Sequence, residues 1–165
     1  MRQKLYHATH MKSILILHDI RSAQNVGSLF RTADAAGVDH IYLSAITPHP
    51  IDRFGRYRSD IAKTALGAER SISWSSYTDI STLIEELRSA GVQIIAIEQS
   101  PRAVDYKTVS VARDTAFILG NEVGGIPPEI LEQVDIIAQI PMRGSKESLN
   151  VAVAGGVALF RMLGI

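Results

Sequence analysis

Asparagine amides, one arginine and one carboxylate fall in three short, well-separated stretches of this chain, two of which carry glycines. They are Asn25-Val-Gly-Ser-Leu-Phe-Arg31, Gly120-Asn-Glu-Val-Gly-Gly125 and Ser148-Leu-Asn150. Glycine lets a backbone approach a ligand closely. The amides of Asn25 and Asn150 and the Ser148 hydroxyl both donate and accept hydrogen bonds, Arg31 supplies a cation, and Glu122 supplies a polar carboxylate side chain. Such a set suits the binding and alignment of a polar organic ligand. It does not suit a metal: cysteine is absent, and the five histidines (His7, His10, His18, His40 and His49) lack ligand spacing. A structural or surface role is expected for each histidine, and no metal is expected.

Each stretch also has a plainer reading on its own. Residues 120–125 resemble a tight turn with a solvated acid. Ser148 and Asn150 are good helix caps, Asn25 is a cap or turn residue, and an exposed helical arginine such as Arg31 is ordinarily a solvated charge. The glycine spacing matches neither G-x-G-x-x-G nor the phosphate-cradling loop that ends in Gly-Lys-Ser or Gly-Lys-Thr, so cofactors that need those loops are disfavoured. A separate cationic cluster comprises Arg53, Arg56, Arg58, Lys63 and Arg70, with Phe54 and Tyr57 interleaved. It reads either as a solvated loop or as a contact for a phosphate backbone.

Strands and helices must bring the three stretches together. Apolar runs over 13–18, 41–43, 93–97, 115–119 and 136–140 read as short buried strands. Between them, Val26, Leu29, Phe30 and Ala33 recur at helical spacing, and Gly37 ends that helix. Ser59 is expected to cap a short helix that stops at Gly67, and Asp79 to cap the helix striped by Ile80, Leu83, Ile84 and Leu87. Pro127 and Pro128 open another helix, and residues 150–163 form the last, whose small apolar residues predict deep burial all round. This alternation predicts an α/β fold: a mostly parallel sheet covered by helices on both faces, with ligands bound beyond the carboxyl ends of the strands.

With 165 residues, 46% of them hydrophobic and 21% charged, the chain is expected to form one domain spanning 1–165. Lys+Arg 17 balance Asp+Glu 17, which argues against a non-specific nucleic-acid binder but leaves local patches open. No leader or membrane span is readable in the sequence, so the expected location is cytoplasmic with no membrane partner.

Taken together and in order, N-x-G-x-x-x-R-x-A-D-A-A-G from Asn25 to Gly37, then I-L-G-N-E-V-G-G-I, then I-P-M-R-G-S-K-E-S-L-N-V-A-V-A resemble the SpoU (TrmH) family of RNA ribose 2′-O-methyltransferases. That family is a branch of the SPOUT, or α/β-knot, superfamily, and the likeness runs from about Ile14 to the C-terminus. It implies a C-terminal deep trefoil knot and an S-adenosylmethionine site on Glu98, Gly120, Ile140, Met142, Ser148 and Leu149. It implies a catalytic set of Asn25, Arg31, Glu122, Ser148 and Asn150, a homodimer, and a structured RNA substrate, tRNA ahead of rRNA. Arg53, Arg56, Arg58, Lys63 and Arg70 are then the expected RNA contacts. Two other readings compete: a non-catalytic RNA-binding or assembly protein on a degenerate scaffold, and a methyltransferase acting on protein or a small molecule.

Overall fold

The strand Ser13–Leu17 (β1) is buried along its whole length, and its alternate residues serve two different cores. Leu15 and Leu17 face one cluster with Leu29, Phe30 and Leu159, whereas Ile14 and Ile16 face another with Leu83, Ile84 and Leu87. That division is what a parallel strand with helices on both faces requires. The structure is a computed structural model that describes residues 11–165; His7 and His10 lie outside the described residues.

The helix Ala23–Ala36 (α1) follows, then His40–Ser44 (β2), Ser59–Ala65 (α2), Ala68–Ser71 (α3), Ser73–Tyr77 (β3) and Ile80–Ser89 (α4). Gln93–Ile97 (β4), the two-residue Val104–Asp105 (β5), Thr115–Leu119 (β6), Pro128–Leu131 (α5), Ile136–Gln139 (β7) and Val151–Leu163 (α6) complete the order. Among the described residues, seven strands form one sheet in the order β3-β2-β1-β6-β4-β7-β5, every pair parallel. Strand β6 therefore lies between β1 and β4. Leu17 pairs with Leu119, Leu119 with Ile97, and Ile97 with Ala138, so four strands end side by side on one edge. The loops that leave that edge carry the three stretches of interest.

Helices α1, α2, α3 and α6 pack on one face and α4 and α5 on the other. Asp79 caps α4, accepting from the Thr82 amide at 2.8 Å, and Ile80, Leu83, Ile84 and Leu87 are buried beneath it. Each such side chain contributes about 1.5–3 kcal/mol by leaving water. Helix α6 sits so close to α1 that a Cβ on Gly155 would stand 2.7 Å from Leu29 Cδ2 and 2.8 Å from Leu119 Cδ1.

Several local expectations are corrected. Asn25 is not the cap of α1: the Ser22 hydroxyl accepts from the Asn25 amide at 3.2 Å, which puts Asn25 inside the first turn. Ser59 is the first residue of α2 after Arg58, and no side chain caps that helix. Leu66, at φ 52°, takes the left-handed stop expected of Gly67, which instead leads into α3. Helix α6 is not buried all round. Gly155, Ala158, Leu159 and Met162 face inward, while Val153, Val157 and Phe160 remain exposed one turn apart.

Candidate active site

Loop 120–125 emerges from the middle of the sheet and folds back on itself. Asn121 N donates to the Gly125 carbonyl at 3.2 Å and Gly125 N to the Asn121 carbonyl at 3.0 Å. The Asn121 side chain holds the loop from inside, accepting from the amides of Val123 and Gly124, each at 2.9 Å. Its Nδ2 also donates to the Asp19 carbonyl at 2.8 Å. Asp19 is itself in the left-handed region at φ 57°, steadied by Ser44, whose hydroxyl accepts from its amide and donates to its carboxylate. Gly120 is required by this folding: a Cβ there would lie 2.5 Å from the Gly125 carbonyl carbon and 2.6 Å from Ile126 Cγ1.

Glu122 reaches back to the start of α1. Its carboxylate accepts from the amides of Arg21 (3.1 Å) and Ser22 (3.0 Å) and from Asn25 Nδ2 (3.0 Å). Asn25 Oδ1 in turn accepts from Asn150 Nδ2 at 3.1 Å. Asn150 Oδ1 caps α6, accepting from the amides of Ala152 and Val153. One chain of hydrogen bonds thus joins residues from all three stretches, which are 97 and 125 positions apart in the sequence. Partial burial works to raise the Glu122 pKa, but the bonds from Asn25, Arg21 and Ser22 outweigh it and hold the carboxyl below the usual glutamate range. A carboxylate saturated in this way is a weak proton acceptor and a strong fastener.

Between the loops lies a cavity of about 340 Å³. Ile97, Leu119, Ile140, Leu149 and Ala154 form its apolar wall, and Glu98, Gln99, Glu122, Ser148 and Asn150 its polar parts, with the backbone of 120–125 along one side. Glu98 Oε2 accepts from the Ile126 amide and Oε1 from the Gln99 amide, both at 2.8 Å, while Gln99 Nε2 donates to the Ile140 carbonyl at 2.8 Å. These bonds tie the loops after β4, β6 and β7 together around the cavity.

A family model described as the SpoU rRNA Methylase family matches residues 12–160. The chain belongs to this family. It is 32% identical over 148 residues to the 23S rRNA (guanosine-2′-O-)-methyltransferase RlmB of Nitrosomonas europaea, covering 89% of this chain and 54% of that protein. It is 31% identical over 144 residues to the tRNA (guanosine(18)-2′-O)-methyltransferase of Escherichia coli K12, covering 87% of this chain and 59% of that protein. An AdoMet-bound rRNA methyltransferase from Sinorhizobium meliloti superposes with a TM-score of 0.82 at 30% identity, over 92% of this chain and 55% of that one. The chain spans little more than half the length of the curated SpoU relatives it matches.

Against the expected SpoU site, Glu98, Gly120, Glu122, Ile140, Ser148, Leu149 and Asn150 all line the cavity, and Asn25 joins them through its two hydrogen bonds. Met142 is half-buried and Arg31 exposed, and neither lines it. Arg31 makes no ion pair or side-chain hydrogen bond with the described residues.

The five basic residues lie elsewhere, on the loop after β2 and on α2 and α3. Three are partly neutralised there: Arg56 by Asp52 at 2.9 Å, Arg58 by Asp60 at 2.6 Å, and Arg70 by Glu69 at 3.4 Å. Arg53 and Lys63 have no acidic partner among the described residues. Among those residues, no group of three or more His, Cys, Asp or Glu side chains is gathered as a metal site would need, and no helix is long and apolar enough to cross a membrane. Sequence reasoning passed over Gln99 and the Arg21 and Ser22 amides. Backbone donors leave no trace in residue identity, and Gln99 stands in no motif.

Proposed function

We propose that this chain transfers a methyl group from S-adenosylmethionine to a ribose 2′-hydroxyl of a structured RNA, with tRNA ahead of rRNA as substrate. The observation that carries this reading is the hydrogen-bond chain Asn150–Asn25–Glu122 at the mouth of a cavity walled by the SpoU loops. The cavity fits such a cofactor: its volume is in the range of small-molecule sites, its apolar wall suits a purine, and its polar rim suits a ribose and an amino-acid tail. Glu98, Gly120, Ile140, Ser148 and Leu149 would hold it. When bound, the cofactor would supply an activated methyl on a sulfonium and leave as the neutral thioether, so the protein has mainly to align the incoming oxygen, stabilise its developing charge and let the hydroxyl proton pass to solvent at the cavity mouth.

Within that division of labour, Glu122 positions. Its bonds fix the start of α1 against loop 120–125, and its lowered pKa makes it a poor base. Asn25 and Asn150 keep the mouth of α6 in register with it. Arg31, whose guanidinium stays protonated in proteins, pairs with the target phosphate and steadies the forming alkoxide.

Two further parts of the reading belong with it. The chain forms a homodimer through the exposed face of α6, where Val153 is 52% exposed and Val157 38%. Arg31, which does not line the cavity of its own chain, then serves the site across that interface. The C-terminal loops thread as a trefoil knot, a reading supported by the insertion of β6 between β1 and β4.

The test is incubation of the purified protein with methyl-labelled S-adenosylmethionine and, separately, unmodified tRNA and rRNA. Label is expected in tRNA. Label only in rRNA corrects the choice of substrate, and label in neither defeats the proposal.

A further inference from the structure

We propose that Phe54 and Tyr57, with the guanidinium groups laid against them, form a stacking platform for unpaired bases of the RNA. This rests on the reading of RNA as the substrate and adds which part of an RNA is gripped, and how. Phe54 is 66% exposed and Tyr57 43%. A phenylalanine left in water forgoes about 1.5–3 kcal/mol of burial, and the turn that carries it is not loose. Asp52 Oδ1 accepts from the amides of Phe54 (2.8 Å) and Arg56 (3.0 Å). Asp52 N donates to the Arg56 carbonyl and Gly55 N to the Asp52 carbonyl, both at 2.9 Å, with Gly55 at φ 76°. Ile51 and Tyr57 bridge the base of the turn. The ring is held outward by a closed set of hydrogen bonds.

Cations lie on both rings. The guanidinium carbon of Arg53 is 4.7 Å and that of Arg56 5.1 Å from the Phe54 centroid, and that of Arg70 is 4.2 Å from the Tyr57 centroid. Asp52 fixes Arg56 and Glu69 fixes Arg70, so the charged planes are preorganised. Exposed aromatic rings overlaid by planar cations match a nucleobase with its phosphate, since bases stack on rings and guanidinium planes alike and the phosphate answers the charge. An apolar protein surface would have to desolvate those guanidinium groups without compensation. In duplex RNA the bases are already stacked on one another, so the platform selects loops, bulges or ends.

Its position serves the cavity. The turn follows β2 and leaves the same sheet edge as the cavity loops. Helix α2 is tied to α1 where Thr64 Oγ1 donates to the Gln24 carbonyl at 3.1 Å, one residue before Asn25.

The test measures binding of a short unpaired oligoribonucleotide, and of the same strand annealed to its complement, by fluorescence polarisation over a salt series. Phe54→Ala should weaken binding of the unpaired strand about 5- to 150-fold, leave duplex binding and the salt slope unchanged, and keep the thermal midpoint. Arg53→Gln should instead reduce the salt slope by about 0.7, one phosphate contact. Phe54→Trp should restore affinity, with its indole quenched by the unpaired strand beyond the signal of Trp74, the one native tryptophan. Equal losses for both RNAs, or wild-type affinity in Phe54→Ala, would overturn the platform while leaving RNA binding intact. A wild-type protein that binds neither RNA would overturn both readings.

Discussion

Gly120→Ala probes the hinge of the whole site. The added methyl would lie 2.5 Å from the Gly125 carbonyl carbon, 2.6 Å from its oxygen and 2.6 Å from Ile126 Cγ1. Two of those atoms are backbone, locked by the paired hydrogen bonds between Asn121 and Gly125, so relief requires the loop to open. Overpacking of this kind costs about 1–3 kcal/mol, which for a chain of this length lowers the melting midpoint by about 2–12 °C. Opening also pulls Ile126 from Glu98 and disturbs the cavity wall, so S-adenosylmethionine affinity should fall by about tenfold or more. Gly124→Ala is the comparator. Its methyl would meet only Asn121 Oδ1, at 3.7 Å, and its φ is not in the left-handed region, so stability should stay within about 0.5 kcal/mol. Scanning calorimetry and calorimetric titration read both quantities. A Gly120→Ala protein that melts and binds like wild type would show that the loop does not depend on this close approach.

Other consequences follow from the same geometry. Arg31→Ala should leave cofactor affinity unchanged and remove most methyl transfer, and Arg31→Lys should restore only part, because an ammonium cannot reproduce a bidentate contact; wild-type turnover in Arg31→Ala would refute its role. Because the folded-state pKa of Glu122 is depressed, its stabilisation is present above the ordinary value of 4.5 and lost as pH falls through the lower folded value. The denaturant-midpoint gap between wild type and Glu122→Gln should therefore hold at pH values above 4.5 and narrow as the pH is lowered beneath it; a gap that does not narrow in acid would contradict the assignment. Val157→Asp, on the exposed face of α6, should convert a dimer to a monomer in light scattering, and a dimer unaffected by it would place the interface elsewhere.

Much of this architecture was legible in the sequence because β1, β2, β4, β6 and β7 are short apolar runs and α1, α4 and α6 carry clear boundary residues, whereas β3 (Ser-Trp-Ser-Ser-Tyr) and the two-residue β5 present no such run and passed unread. Asp79, Gly37 and Asn150 stand at helix boundaries in the structure as well. The errors share a cause. Ser22 rather than Asn25 caps α1 because the side chain of Asn25 is taken by Glu122 and Asn150, partners far away in the sequence. Helix α6 reads as buried from composition, but composition cannot tell a face covered by its own chain from one left open, as Val153 and Phe160 are. The basic cluster reads as a solvated loop or a phosphate contact, and its partial neutralisation was there to be read, since Asp52, Asp60 and Glu69 stand within four positions of Arg56, Arg58 and Arg70. Glycine spacing marked loop 120–125 as a ligand loop, yet at Gly120 the close approach is by the loop's own backbone.

The central claim is that these loops direct a methyl group onto a ribose oxygen. RNA methylated by the purified protein, digested to nucleosides and resolved by mass spectrometry, tests it most directly. The account predicts a single nucleoside heavier by one methyl, with the added mass on the sugar fragment and the base fragment unchanged. A methyl group on the base fragment would contradict it.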